Sequence, residues 1–183
     1  PAYRALLAAV LTKTNDIERT LGLYEELTAE YPNQPKLWMS FGHVLKAAGR
    51  QPASGAAYRR AIALDPGIGE AWWSLANLKT VRFTPADIEA MQRELERQHL
   101  GDDDRMQLEF ALGKALEDAA RYEESFRHYA EGNRLRLQMA HYDPEDATEH
   151  LRRSKRILTR EFFAARAGLG CPAPDPIFIL GLP

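Results

Sequence analysis

The chain has 183 residues, 45% hydrophobic and 27% charged, enough apolar material for one domain or for an array of small units sharing a core, which argues against disorder. With 24 Lys+Arg against 26 Asp+Glu the formal net charge is −2, so the chain lacks the basic footprint of a nucleic-acid binder. Its apolar runs fall far short of the roughly 20 residues that span a bilayer, and its single cysteine, Cys171, excludes an intrachain disulfide or a Cys-cluster metal site.

Taken from the N-terminus, the chain repeats itself with a period of about 34 residues. Tyr24 recurs as Tyr58, Pro32 as Pro66 and Trp38 as Trp72, and the small residue Ala8 is followed by Gly42 and Ala76. The block from Pro35 to Pro66 carries the whole unit. Trp38, Phe41, Gly42 and Leu45 sit on a first helix and Ser54, Tyr58 and Ala61 on a second, with Gly49 and Pro52 bracketing the turn between them. Small residues at Gly42 and Ala61 let helices cross closely, and Pro66 cannot continue a helix. This pattern resembles the tetratricopeptide repeat. The resemblance implies an all-α, right-handed superhelix of antiparallel helix pairs.

Four repeats are expected over 1–139, as units 1–34, 35–68, 69–105 and 106–139. In the third, Thr84, Pro85 and Asp87 signal a capped second helix that has lost the Ala/Tyr/Ala spacing. The fourth returns to pattern with Leu112, Gly113, Leu116, Ser125 and Tyr129. Gly113 follows Gly42 by slightly more than two periods, so a short insertion separates them, most simply in the acidic turn Gly101–Asp104. Capping or connecting helices are expected over 140–168, one of them starting at Asp143 and Pro144. The stretch 169–183 reads as a Pro-rich linker and an apolar strand, Ile177–Leu180. A lone strand of that kind cannot bury both faces, so it is expected to open a further domain beyond Pro183. A strand running into Gly181-Leu182-Pro183 is also one way a phosphate-cradling loop begins.

The segments 69–83, 111–136 and 162–183, in that order, resemble the bacterial tetratricopeptide-repeat sulfotransferases. In that family a strand ending Gly-Leu-Pro leads into an Arg-Ser-Gly-Thr type loop that holds the donor 3′-phosphoadenosine 5′-phosphosulfate (PAPS). The resemblance implies that this chain is the interaction or substrate-presenting region of a cytoplasmic sulfotransferase that uses PAPS, with the sulfotransferase domain as an intramolecular partner. The chain stops before the loop, so no catalytic or cofactor-binding residue is carried over, and the chain by itself is expected to be no enzyme. A free-standing scaffold is the alternative, and an array joined to a glycosyltransferase ranks last.

Chemistry-bearing residues otherwise read as packing or surface. His43, His99, His128, His141 and His150 form no zinc-type spacing, so no metal is expected. Asp102, Asp103 and Asp104 suit a helix start, and Arg152, Arg153, Lys155, Arg156 and Arg160 suit a solvated face. Trp38 and Trp72 fill the aromatic core slot of the repeat. Trp73, rotated about 100° from its neighbour, points to the inner, concave face. The same geometry gathers Lys13, Lys36, Met39, His43, Lys46, Trp73, Asn77, Phe110, Lys114 and Glu117 there, a candidate groove for an extended peptide of a partner protein. The chain's own C-terminal helices or a following domain could instead fill it. Among the inner positions Ala5, Ala9, Met39, His43, Trp73, Asn77, Phe110 and Lys114, only Asn77 and Lys114 resemble the clamp with which chaperone-binding relatives grip a terminal carboxylate.

Overall fold

Proline occupies the first turn of four helices in the computed structural model, which describes residues 2–14, 16–140 and 142–170. Its missing N–H costs nothing there and its fixed φ favours helix entry. The helices are α1 (Ala2–Lys13), α2 (Ile17–Glu30), α3 (Pro35–Ala47), α4 (Gln51–Leu64), α5 (Gly69–Ala76), α6 (Pro85–Leu95), α7 (Asp102–Asp118), α8 (Tyr122–Met139), α9 (Pro144–Ile157) and α10 (Arg160–Ala164). The described residues contain no strand, and none of their helices is long and apolar enough to cross a membrane. The chain divides into two units, the first ending at Ala140.

The first unit is an all-α stack of the tetratricopeptide type. Helices α1 and α2, α3 and α4, and α7 and α8 pack as neighbouring pairs. The first helix of each later pair also packs on the pair before it: α3 on α2, α5 on α4, and α7 on both α5 and α6. The sequence offsets recur as the same contacts. Ser54 Oγ donates to the Gly42 carbonyl at 2.8 Å, and at the equivalent place in the last repeat Ser125 Oγ donates to the Gly113 carbonyl at 2.8 Å. Trp38 Nε1 donates to the Pro32 carbonyl at 2.9 Å, and one period later Trp72 Nε1 donates to the Pro66 carbonyl at 2.9 Å.

Two apolar clusters form the interior. One joins Ala8, Leu21, Tyr24, Leu27, Val44 and Leu45 between the first and second pairs. The other runs from Tyr58 and Trp72 through Leu75 and Met91 to Leu108, Leu112 and Leu116. Trp72 is 1% exposed, as a core residue should be. Trp38 is not: it is half-buried and leans on the edges of both clusters. The difference has a local cause. Phe83, in the connector before α6, covers Trp72 with ring centroids 6.0 Å apart. One period earlier the same position is Gly49, which has no side chain to offer.

The inserted residues are helical rather than a loop. Repeat spacing would start α7 at Met106, but the helix starts at Asp102 behind Gly101 as N-cap, one turn early. Asp102, Asp103 and Asp104 thus lie at the positive end of the helix. Asp104 Oδ1 also accepts the Gly69 N–H at 2.9 Å, tying the added turn to the start of α5. Helix α5 in turn ends early. Lys79, just beyond the end of α5 at Ala76, takes a left-handed conformation with φ 59°, so residues 77–81 lie in a connector where the second repeat, at 43–47, is still helical. A capping box between Thr84 and Asp87 restarts the chain as α6.

In the second unit Asp143 caps α9 by accepting the Glu145 N–H at 2.8 Å. Thr159 caps α10 by accepting the Phe162 N–H. Neither helix buries a residue. The basic residues Arg152, Arg153, Lys155 and Arg156 lie on α9 with Arg160 at the start of α10, and Arg152 pairs with Glu145 at 2.8 Å. The expected strand Ile177–Leu180, Cys171 and the linker from 171 onward lie outside the described residues.

Candidate functional site

Because α3, α5 and α7 are the first helices of successive pairs, equivalent positions on them line up in rows across the stack. Met39, Trp73 and Phe110 form one such row, the second step lengthened by the insertion before α7, and all three are only half-buried. On α5 and α7 the residues one position away, such as Trp72 and Ala111, are in the core, whereas on α3 Trp38 and Ser40 are themselves half-buried. Trp73 and Phe110 touch, with ring centroids 5.6 Å apart and planes tilted by 47°. Phe110 extends the aromatic surface to Tyr129 of α8 at 6.4 Å. Gly132 makes this possible, since a Cβ there would sit 3.1 Å from the Phe110 ring.

The neighbouring row is Lys36, Glu70 and Gln107, and its last two members carry chemistry that residue type alone did not mark. Lys36, Met39 and Glu70 line a cavity of about 420 Å3 together with Asp65, Arg97 and Asp104. Glu70 Oε1 also lies 3.2 Å from His43 Nε2, while the other ring nitrogen of His43 is 2.9 Å from the Tyr58 hydroxyl. Burial pushes the Tyr58 phenol above its ordinary pKa. His43 therefore lies between its own pair and the next one, with Nδ1 bonded to Tyr58 and Nε2 beside Glu70 but in no hydrogen bond.

Gln107 lies beside Trp73, Met106, Phe110 and Arg136 around a second cavity of about 350 Å3. Its carbonyl oxygen is shielded from solvent and accepts no hydrogen bond.

The remaining expected groove residues divide between these cavities and the surface. Lys114 Nζ is 2.7 Å from Asp118 and lies with Lys79 and Arg82 in a third cavity. Glu117 accepts the Tyr129 hydroxyl at 2.8 Å, and burial together with this carboxylate drives the Tyr129 phenol far up. Lys46 and Asn77 are exposed, and the side chain of Lys13 lies outside the described residues. The structure thus brings Trp73 and Phe110 together and places Lys36 and Met39 around one cavity. Lys114 and Glu117 are paired elsewhere.

Two kinds of residue escaped the sequence reading. Glu70 and Gln107 could have been found, since they repeat the Lys36 position. Arg136 could not, because α8 continues for a turn beyond the point where the equivalent helix α4 stops.

No protein-family model matches the chain. All 183 residues align with an uncharacterized protein of Aquifex aeolicus (strain VF5) at 23% identity, and the chain spans 24% of the length of that relative. Among solved structures, the MamA RS-1 ArsTM double mutant matches with a TM-score of 0.54 and 16% identity over 76% of each chain. A MamA AMB-1 structure matches at 0.51 and 18% identity, over 78% of this chain and 74% of that one. These likenesses agree with the all-α repeat fold. None of them bears on the sulfotransferase expectation.

Proposed function

We propose that the chain is a protein-interaction scaffold that binds an extended peptide of a partner across the first-helix face. One observation carries this reading: Met39, Trp73 and Phe110 recur at one repeat position on the first helices of three successive pairs and stay half-exposed, Trp73 and Phe110 beside buried neighbours. A row of large apolar side chains flanked by cavities supplies anchors, and Lys36, Lys46 and Asn77 supply polar contacts along the rim. No catalytic group is needed for this. The test is selection of peptides from a displayed random library on the immobilised chain, followed by titration of the tryptophan fluorescence. The selected peptides should change the emission, and Trp73→Ala should abolish binding while the helical circular dichroism is kept. Unchanged affinity in Trp73→Ala would refute the reading.

A second reading is favoured by the ending FILGLP at 178–183: the scaffold would be the substrate-presenting region of a PAPS-dependent sulfotransferase. Sequencing past Pro183 decides it, an Arg-Ser-Gly-Thr type loop supporting the reading and any other continuation removing it.

A further inference from the structure

The cavity beside the aromatic pair is chemically selective. Trp73 and Phe110 give it an apolar wall, and Met106, 7% exposed, lies behind them. Two polar groups stand at this wall without partners. The guanidinium of Arg136 has no carboxylate within ion-pair distance among the described residues, although Arg121, Arg127 and Arg134 nearby are each paired with a glutamate. The Gln107 carbonyl oxygen accepts nothing. A shielded acceptor left unpaired is costly, and almost all such groups in folded proteins find a donor. The Gln107 side chain as a whole is half-exposed and lines the cavity, and its terminal torsion is broad, so rotation about it can present the amide oxygen to a ligand there.

Resting on the scaffold reading above, we infer that this cavity takes an internal peptide segment in which a large apolar side chain is followed by an aspartate or glutamate. The apolar side chain stacks on Trp73 and Phe110. The carboxylate pairs with Arg136, whose planar fork suits two parallel hydrogen bonds to it. A backbone N–H of the peptide donates to Gln107 Oε1. Charge sets the preference: the only unpaired charge lining this cavity among the described residues is positive, so a basic residue in place of the acid meets repulsion. The acid is supplied by a side chain, so a terminal carboxylate is not required.

The displayed-library selection reads this directly. Peptides that bind the chain should be enriched in an aromatic or large aliphatic residue adjacent to Asp or Glu, and should bind equally well with an amidated C-terminus. Exchanging the acid for its amide, or Arg136→Gln in the protein, should weaken binding about tenfold or more, the range of a charged hydrogen-bonded contact. Gln107→Met should weaken binding severalfold while leaving the thermal midpoint unchanged or raised, since it removes an unpaired acceptor. Binders without an acid beside the apolar residue, or affinity untouched by Arg136→Gln but lost in Trp73→Ala, would overturn this inference and leave the scaffold reading standing. A selection that yields no binders overturns both.

Discussion

The ring of Tyr58 lies directly over the α-carbon of Gly42, so that a Cβ on Gly42 would stand 2.5 Å from the ring. Tyr58 is fully buried and its hydroxyl is fixed by His43, which leaves the ring nowhere to go. The same pair recurs as Gly113 and Tyr129, but there the distance is 3.0 Å and Tyr129 is half-exposed. Adding a methyl group favours a helix by about 0.5–1 kcal/mol over glycine, and overpacking costs about 1–3 kcal/mol. Gly42→Ala should therefore destabilise the protein by about 1–2 kcal/mol, and Gly113→Ala should be near neutral. Urea unfolding followed by circular dichroism separates the two, and equal losses would contradict the geometry.

The turn between α7 and α8 carries removable strain. Ala120 sits at φ 59°, where its counterpart in the second repeat is Gly49 at φ 73°. A left-handed alanine costs about 1–2 kcal/mol, so Ala120→Gly should raise stability by about 1 kcal/mol after allowing for the freer unfolded chain. Peptide binding should not change, because residue 120 lines none of the cavities. A lowered thermal midpoint would show that the strain lies elsewhere.

Much of this is legible in the sequence, for a physical reason: each repeat must solve the same packing problem, so Trp72, Gly42 with Tyr58, and Ser54 repeat in sequence because they repeat in contact. Departures from the repeat were not legible. The half-exposure of Trp38 follows from what Gly49 lacks, and the early end of α5 follows from a backbone conformation at Lys79 that lysine does not advertise. The pairing of Glu109 with His128, 2.6 Å apart and linking α7 to α8, sits at positions with no counterpart in the second repeat, where Trp38 and Ala57 stand. In the candidate site, the aromatic row was readable from helical rotation, whereas Arg136 needed the helix ends.

Asp87 should make stability depend on acid. Its carboxylate accepts the Thr84 N–H at 2.8 Å and a bidentate bridge from Arg59 at 2.9 and 3.2 Å, so it both caps α6 and ties it to α4. Burial alone would push its pKa up. The Arg59 guanidinium and the Thr84 donors outweigh that, and the pKa lies below the ordinary carboxylate value. The folded state therefore binds this proton less readily than the unfolded chain does. The resulting stability is fully present above about pH 4, the ordinary range for aspartate, and is lost as the pH falls through the lower folded-state value. Asp87→Ala should cost about 1–2 kcal/mol at about pH 7, and the difference from the parent should shrink as the pH falls below about 4. A pH-independent difference would mean that the carboxylate charge contributes nothing.

The spacing of the aromatic row depends on a residue far from it in kind. Gly69 begins α5, and a Cβ there would collide with the Asp104 carbonyl oxygen, which is backbone and cannot rotate away. Glycine is therefore what lets α5 approach α7, and that approach brings Trp73 within reach of Phe110. Gly69→Ala should push the two helices apart, costing about 1–3 kcal/mol or more, and should also weaken peptide binding by loosening the Trp73–Phe110 contact. Asp104→Ala removes the hydrogen bond to the Gly69 N–H and one carboxylate from the positive end of α7, and should cost about 1–2 kcal/mol. Because the clash is with a main-chain atom, adding Asp104→Ala to Gly69→Ala should rescue neither stability nor affinity. Rescue in the double variant would place the strain in the aspartate side chain instead and remove the link between this contact and the site.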